Sequence, residues 1–212
     1  MAGLTDPGYF SNERLEVAAL VPAAARSILD VGCGAGRLGR HLKETLAGRR
    51  VTGIEREPAM AAEARSVLDE VLVADLETVG QPFPHESFDC IIFADVLEHL
   101  VHPEELLRSF RPMLRPGGCV VCSIPNIRHY SAILTLLVRG WVYEEYGLFD
   151  RTHLRFFSLR GMQSMLQSAG YTIDLVRPRI VASKKARLLT APFRRQVEEF
   201  LALQYLLRAL PR

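Results

Sequence analysis

Ile28-Leu29-Asp30-Val31-Gly32-Cys33-Gly34-Ala35-Gly36 is the stretch on which the reading of this chain turns. A short apolar run ends in an acid, glycines follow at alternate positions, and Arg37-Leu38 opens an apparent helix. The pattern is that of a buried strand feeding a tight turn. Lacking a Cβ, a glycine there lets the backbone come close to a ligand. A carboxylate at the strand tip repels phosphate, so the loop suits a cationic, amine-bearing or hydroxyl-rich ligand better than a pyrophosphate.

Strand-like and helical runs alternate along the chain, the pattern of a parallel sheet with crossover helices. The expected strands are Ser27–Val31, Arg50–Glu55, Val71–Asp75, Phe88–Ala94 and Cys119–Ile124. Helices are expected over Arg37–Leu46, from Pro58 onward, and over Glu104–Leu114. Pro58 suits a first helical turn, where no N–H is needed. Phe88–Ala94 is almost unbroken apolar sequence, as for a strand covered on both faces. A helix at Leu159–Ala169 and a strand at Tyr171–Arg179 continue the alternation.

At 212 residues the chain reads as one domain, 1–212, able to bury a full core. A net charge of +2 speaks against a general polyanion binder, so no DNA partner is expected. Cys33, Cys90, Cys119 and Cys122 all fall in or beside expected strands. The Cys119/Cys122 offset turns those two thiols to opposite faces, and all four read as buried, reduced thiols. No basic segment followed by an apolar one opens the chain, and the apolar stretch at Ile133–Val138 is far too short to span a bilayer. A cytoplasmic, soluble protein is the expectation.

The glycine stretch resembles motif I of the class I S-adenosylmethionine (SAM) dependent methyltransferases, usually V-L-D-x-G-C-G-x-G. Gly34-Ala35-Gly36-Arg37-Leu38-Gly39 is also a literal G-x-G-x-x-G of dinucleotide enzymes, but Asp30 and Gly32 ahead of it favour SAM over NAD. The resemblance runs from about Arg26 to the end of the chain. It implies a Rossmann-like, doubly wound α/β fold in three layers, with a seven-stranded sheet and an antiparallel last strand in the second half of Phe200–Ala209. It also implies cofactor roles. Gly32, Gly34 and Gly36 would pack against the methionine and ribose portions, and Asp30 would help hold the amino end. Glu55 would accept both ribose hydroxyl protons in a charge-assisted pair. Asp75 would bond the adenine amino group beside an apolar wall from Leu76. Ala94 and Asp95 would offer carbonyls to the methionine amine.

Residues 125–157 break the alternation, and read as a helical insertion that completes the core, forms an acceptor pocket or lid, or does both. Methyl transfer to a hydroxyl needs a base, and histidine is the usual one. The candidates are His99, His129 and His153, with His153 preferred and Asp150 or Arg155 orienting it. His41, His85 and His102 read as structural. Pro125-Asn126 together with Asp150-Arg151-Thr152-His153-Leu154-Arg155-Phe156-Phe157 resembles bacterial methyltransferases related to the ubiquinone-pathway O-methyltransferases. That implies transfer to a hydroxyl of a small molecule or glycan.

Two alternatives accompany this reading. Asp95, Glu98 and His99 have i, i+3, i+4 spacing and would share one face of a helix. With His153 they resemble the divalent-metal set of metal-dependent relatives, including small-RNA 2′-O-methyltransferases, a set that suits magnesium, manganese or zinc. The near-neutral charge opposes an RNA-terminal acceptor. The other alternative is a SAM-binding protein without transfer activity. Asn126-Ile127 lacks an Asn-Pro-Pro-Tyr pattern, so amino-group methylation has no support. Finally, the acid-free stretch through Lys184, Lys185, Arg187, Arg194 and Arg195 reads as a solvated helix or as a contact with an anionic surface over 177–195.

Overall fold

The computed structural model describes residues 14–180 and 194–212. Seven strands form one sheet: β1 (Ser27–Val31), β2 (Arg50–Glu55), β3 (Glu70–Val73), β4 (Phe88–Ala94), β5 (Leu114–Pro125), β6 (Tyr171–Ile180) and β7 (Ala202–Pro211). Their order is β3-β2-β1-β4-β5-β7-β6. The first five are parallel to one another, and β7 is antiparallel to both β5 and β6. The helices are α1 (Leu15–Ala18), α2 (Arg37–Thr45), α3 (Pro58–Ala64), α4 (Pro103–Phe110), α5 (Tyr130–Arg139), α6 (Leu159–Ser168) and α7 (Arg194–Leu201).

The inner strands β1, β4 and β5 are apolar because both faces are covered. In β4, Cys90 and Ile92 meet Val17 of α1 and Leu38 and Leu42 of α2. Ile91 and Phe93 turn the other way, into a cluster with Leu107 and Phe110 of α4 and Met162 and Leu166 of α6. Alternation along a strand thus feeds two cores and makes three layers. Cys119 and Cys122 divide between the same two clusters, as their spacing predicts, and all four cysteines are buried free thiols.

Several boundaries differ from expectation, among them β5, which begins at Leu114 rather than at Cys119. The helix expected over Glu104–Leu114 stops at Phe110, and a 3₁₀ turn takes Arg111–Met113. Pro112 has no N–H to extend the α-helical ladder, and Leu114 joins β5 opposite Phe88. β3 ends at Val73, short of Asp75, because the Asp75 carbonyl starts a turn that accepts from Thr78 and Val79. β7 runs through all of Ala202–Pro211 rather than half of it.

Order in the sheet reverses between β1 and β4, the place where ligands bind in open α/β sheets, beyond the carboxyl ends of the strands. The 126–158 insertion carries α5 and leaves from that same edge, after β5. The side chains of the basic stretch from Lys184 to Arg195 lie outside the described residues. Among the described residues, no helix is long and apolar enough to cross a membrane.

Candidate active site

The loop after β1 is tied to β2. Gly32 and Cys33 donate their main-chain N–H groups to the Ile54 carbonyl, and Gly34 donates to Glu55 Oε2 at 2.8 Å. Glu55 Oε1 accepts from the Glu57 N–H at 2.9 Å, so one carboxylate ties the glycine loop to the start of α3. Gly36 caps α2 at φ 78°, a left-handed conformation that costs an L side chain. A Cβ there would sit 2.8 Å from Val67 Cγ2, whereas one on Gly34 would meet open space.

Asp30 is 2% exposed, and its Oδ2 accepts no hydrogen bond. Burial lifts its carboxyl to about 7; Arg14 opposes the rise and Glu55 adds to it. A buried carboxyl with one oxygen lacking a hydrogen bond, beside a backbone cradle with free space, fits a ligand that brings a cation, as the amino end of SAM does. Asp75 is exposed, two residues past its strand, and accepts from the Glu77 N–H; Leu76 packs on the core edge.

Ala94 ends β4, and Asp95 follows it at φ 55°. That strained backbone sits inside a polar network. Asp95 Oδ1 accepts from Ser123 Oγ at 2.6 Å and from Gln204 Nε2 at 2.8 Å, while Oδ2 accepts from Arg14 Nη2 at 2.5 Å. Arg179 in turn donates to Gln204 Oε1 at 3.0 Å. Sequence reasoning missed Arg14, Ser123, Gln204 and Arg179. Ser123 and Gln204 had a readable signal, a polar residue inside an apolar strand that buries it almost fully.

Glu98, His99 and His153 converge: one ligating atom from each lies within 4.8 Å of the others. Asp95 does not join them. Its left-handed backbone interrupts the helical spacing, and only Leu97–His99 forms a 3₁₀ turn. His153 arrives because the Leu154 and Arg155 N–H groups both donate to the Glu98 carbonyl. Thr152 Oγ1 gives its proton to Asp150 Oδ1 at 2.7 Å. His99 Nδ1 lies 3.1 Å from the Thr152 carbonyl, to which it can donate, and 3.1 Å from Thr152 Oγ1. One ring nitrogen of His153 likewise bonds the Leu148 carbonyl, and burial, with His99 nearby, lowers its pKa. Both Glu98 oxygens are buried without hydrogen-bond partners; burial first, then Asp95, pushes that carboxyl well up. Thr152 links the Asp150 carboxylate to His99, and Arg155 bonds the Val101 carbonyl.

His129 lies outside this group. It caps α5, with Nδ1 accepting from the Ser131 N–H, and its ring lies tilted against Tyr130 at 4.4 Å.

A family model described as a methyltransferase domain matches residues 9–176. The chain is 36% identical over 127 residues to trans-aconitate 2-methyltransferase of Delftia acidovorans, covering 56% of this chain and 47% of that one. It is 34% identical over 124 residues to ubiquinone biosynthesis O-methyltransferase of Pseudomonas putida, covering 56% and 52%. The chain thus spans about half the length of the curated relatives it matches. A SAM-dependent methyltransferase from Thermotoga maritima shares the fold, with a TM-score of 0.68 at 19% identity over 96% of this chain and 89% of that one. The glycine loop, the buried Asp30 and the matched sequence agree: the chain belongs to the SAM-dependent methyltransferases.

Proposed function

We propose that this protein methylates a hydroxyl of a small molecule or glycan. The observation that carries the reading is the His99–His153 pair, with ring centroids 4.8 Å apart and each ring against a backbone carbonyl, that of Thr152 for His99 and of Leu148 for His153. A carboxylate acceptor arrives already ionised and needs no base; a hydroxyl does. Bound SAM supplies a methyl already activated on its sulfonium. The protein's part is to align the acceptor and take its proton. Asp30, Gly32, Gly34, Gly36, Glu55, Asp75, Leu76, Ala94 and Asp95 would hold the cofactor, and His153 with His99 would serve as the base. His129 contributes by capping α5. The similarity to a ubiquinone-pathway O-methyltransferase supports an oxygen acceptor.

The test is titration with S-adenosylhomocysteine, followed by radiolabelled methyl transfer to a panel of hydroxylated acceptors. Loss of transfer in both His99→Ala and His153→Ala, with S-adenosylhomocysteine still bound, supports the reading. Undiminished transfer in the double variant defeats it. Binding without transfer to any acceptor would favour a SAM-binding protein that lacks the reaction.

A second reading has its own observation. A buried carboxyl group with no hydrogen-bond partner, beside two imidazoles that each meet a backbone carbonyl, is the donor set and support that a divalent cation takes. Glu98, His99 and His153 would hold the ion, and the ion would polarise the acceptor oxygen. Titration with manganese against wild type and Glu98→Gln decides it: no binding to wild type, with transfer unchanged in chelator, removes the metal.

A further inference from the structure

A surface helix normally turns its apolar stripe to the core; α5 does the reverse. Its buried residue is Ala132, which packs with Leu148 and Phe149. Leu134, Leu137 and Val138, at i, i+3 and i+4, face out, and Leu137 and Val138 are 77% and 80% exposed. Past the Gly140 cap, Trp141 rests edge-on against Phe149 and Phe156, at 5.2 and 4.6 Å, with 46% of its surface in water. Tyr130, Tyr143 and Tyr146 are exposed as well.

We propose that this knob is a bilayer-docking element, inserting into the interfacial layer of a lipid membrane. Three observations favour lipid over a second copy of the chain. The centre of the patch is its most exposed part, so it stands proud of the surface, whereas a self-complementary dimer face is flat enough to bury its own centre. An aliphatic tip with tryptophan and tyrosines close by matches the preference of those rings for the membrane–water boundary. The two arginines that flank α5 are each paired, Arg139 with Glu144 at 3.2 Å and Arg128 with Glu199 at 2.5 Å. Apolar burial, not headgroup charge, therefore drives the contact, and zwitterionic lipid suffices. Because α5 follows the carboxyl end of β5, docking holds the site-bearing edge of the sheet close to the bilayer and suits an acceptor with an apolar tail.

Trp141 is the chain's single tryptophan, so its emission reports this element alone. With phosphatidylcholine vesicles, the emission is expected to shift to the blue and to be quenched by brominated acyl chains. Leu137→Glu with Val138→Glu should weaken vesicle binding by about tenfold or more, since both positions lose apolar burial. S-adenosylhomocysteine affinity is unchanged in that variant, which shows that it is folded. Absence of a shift together with absence of co-flotation overturns the proposal. So does binding that requires anionic lipid and vanishes at high salt, which would assign the contact to the basic stretch instead. A dimer in light scattering that the double variant dissolves would place a second copy on the knob and likewise overturn it.

Discussion

The main-chain N–H of Gly34 donates to Glu55 Oε2 across 2.8 Å, joining the loop after β1 to the end of β2. The same carboxylate holds the Glu57 N–H with its other oxygen. Glu55 thus shapes the loop and stands where the ribose diol is expected. Glu55→Ala should weaken S-adenosylhomocysteine binding by about 1.5–3 kcal/mol, the scale of lost hydrogen bonds to a charge. Calorimetric titration measures it. A lowered melting temperature with full affinity would make Glu55 a loop tie and nothing more.

Asp30 imposes a pH dependence. Its carboxyl sits near 3.8 in the unfolded chain and is lifted to about 7 by burial in the fold. Between those values the folded state holds a proton that the unfolded state has released, so stability falls as pH rises through the window. Asp30→Asn cannot ionise. It should match wild type near pH 4 and exceed it at pH 8 by an amount on the order of 2–4 kcal/mol. Urea melts at the two pH values check this. A ligand ammonium favours the ionised carboxylate, so wild type should also bind S-adenosylhomocysteine more tightly at pH 8 than at pH 6.

Arg14 links Asp30 to the end of β4. Its Nη2 reaches Asp95 Oδ2 and, at 2.9 Å, Ser123 Oγ, and its charge holds Asp30 below the value that burial alone would set. Arg14→Gln should cost about 1–3 kcal/mol, because the partly buried Asp95 keeps its charge and loses a charged donor. It should also move the Asp30-dependent fall in stability to higher pH. A variant with an unaltered pH profile would show that Arg14 acts through Asp95 alone.

What could be read beforehand follows from how far apart the interacting residues lie. The glycine loop and the acid closing β2 are local patterns, each legible in a few residues. The alternation that divides β4 between two cores is local too. The Asp95 network is not, because Arg14 and Gln204 reach it from 81 and 109 residues away. No short window holds both ends. Spacing even misleads at Asp95-Val96-Leu97-Glu98-His99, where i, i+3, i+4 presumes a helix that the left-handed Asp95 does not start. His153 meets Glu98 through two backbone hydrogen bonds, and a side-chain pattern carries no trace of those.

Two glycines of one loop should separate folding from binding. At Gly36, an alanine would combine a left-handed φ of 78° with a Cβ 2.8 Å from Val67 Cγ2 and 3.2 Å from Ala64 Cα. The first contact is with a side chain that can turn; the second is backbone of α3 and cannot yield cheaply. Strain and overpacking together should cost about 2–4 kcal/mol. At Gly34 the φ is 53°, and nothing lies within 4 Å of the added carbon. Gly34→Ala should therefore cost only about 1 kcal/mol of stability, from the left-handed backbone. The new methyl, however, points into the space that a closely approaching ligand fills, so S-adenosylhomocysteine affinity should fall at least tenfold, or about 1.4 kcal/mol. Thermal melts and calorimetry on both variants check the pair. Equal affinity in Gly34→Ala and wild type would mean that the cofactor does not lie against this turn, and the site would have to be sought elsewhere along the carboxyl edge.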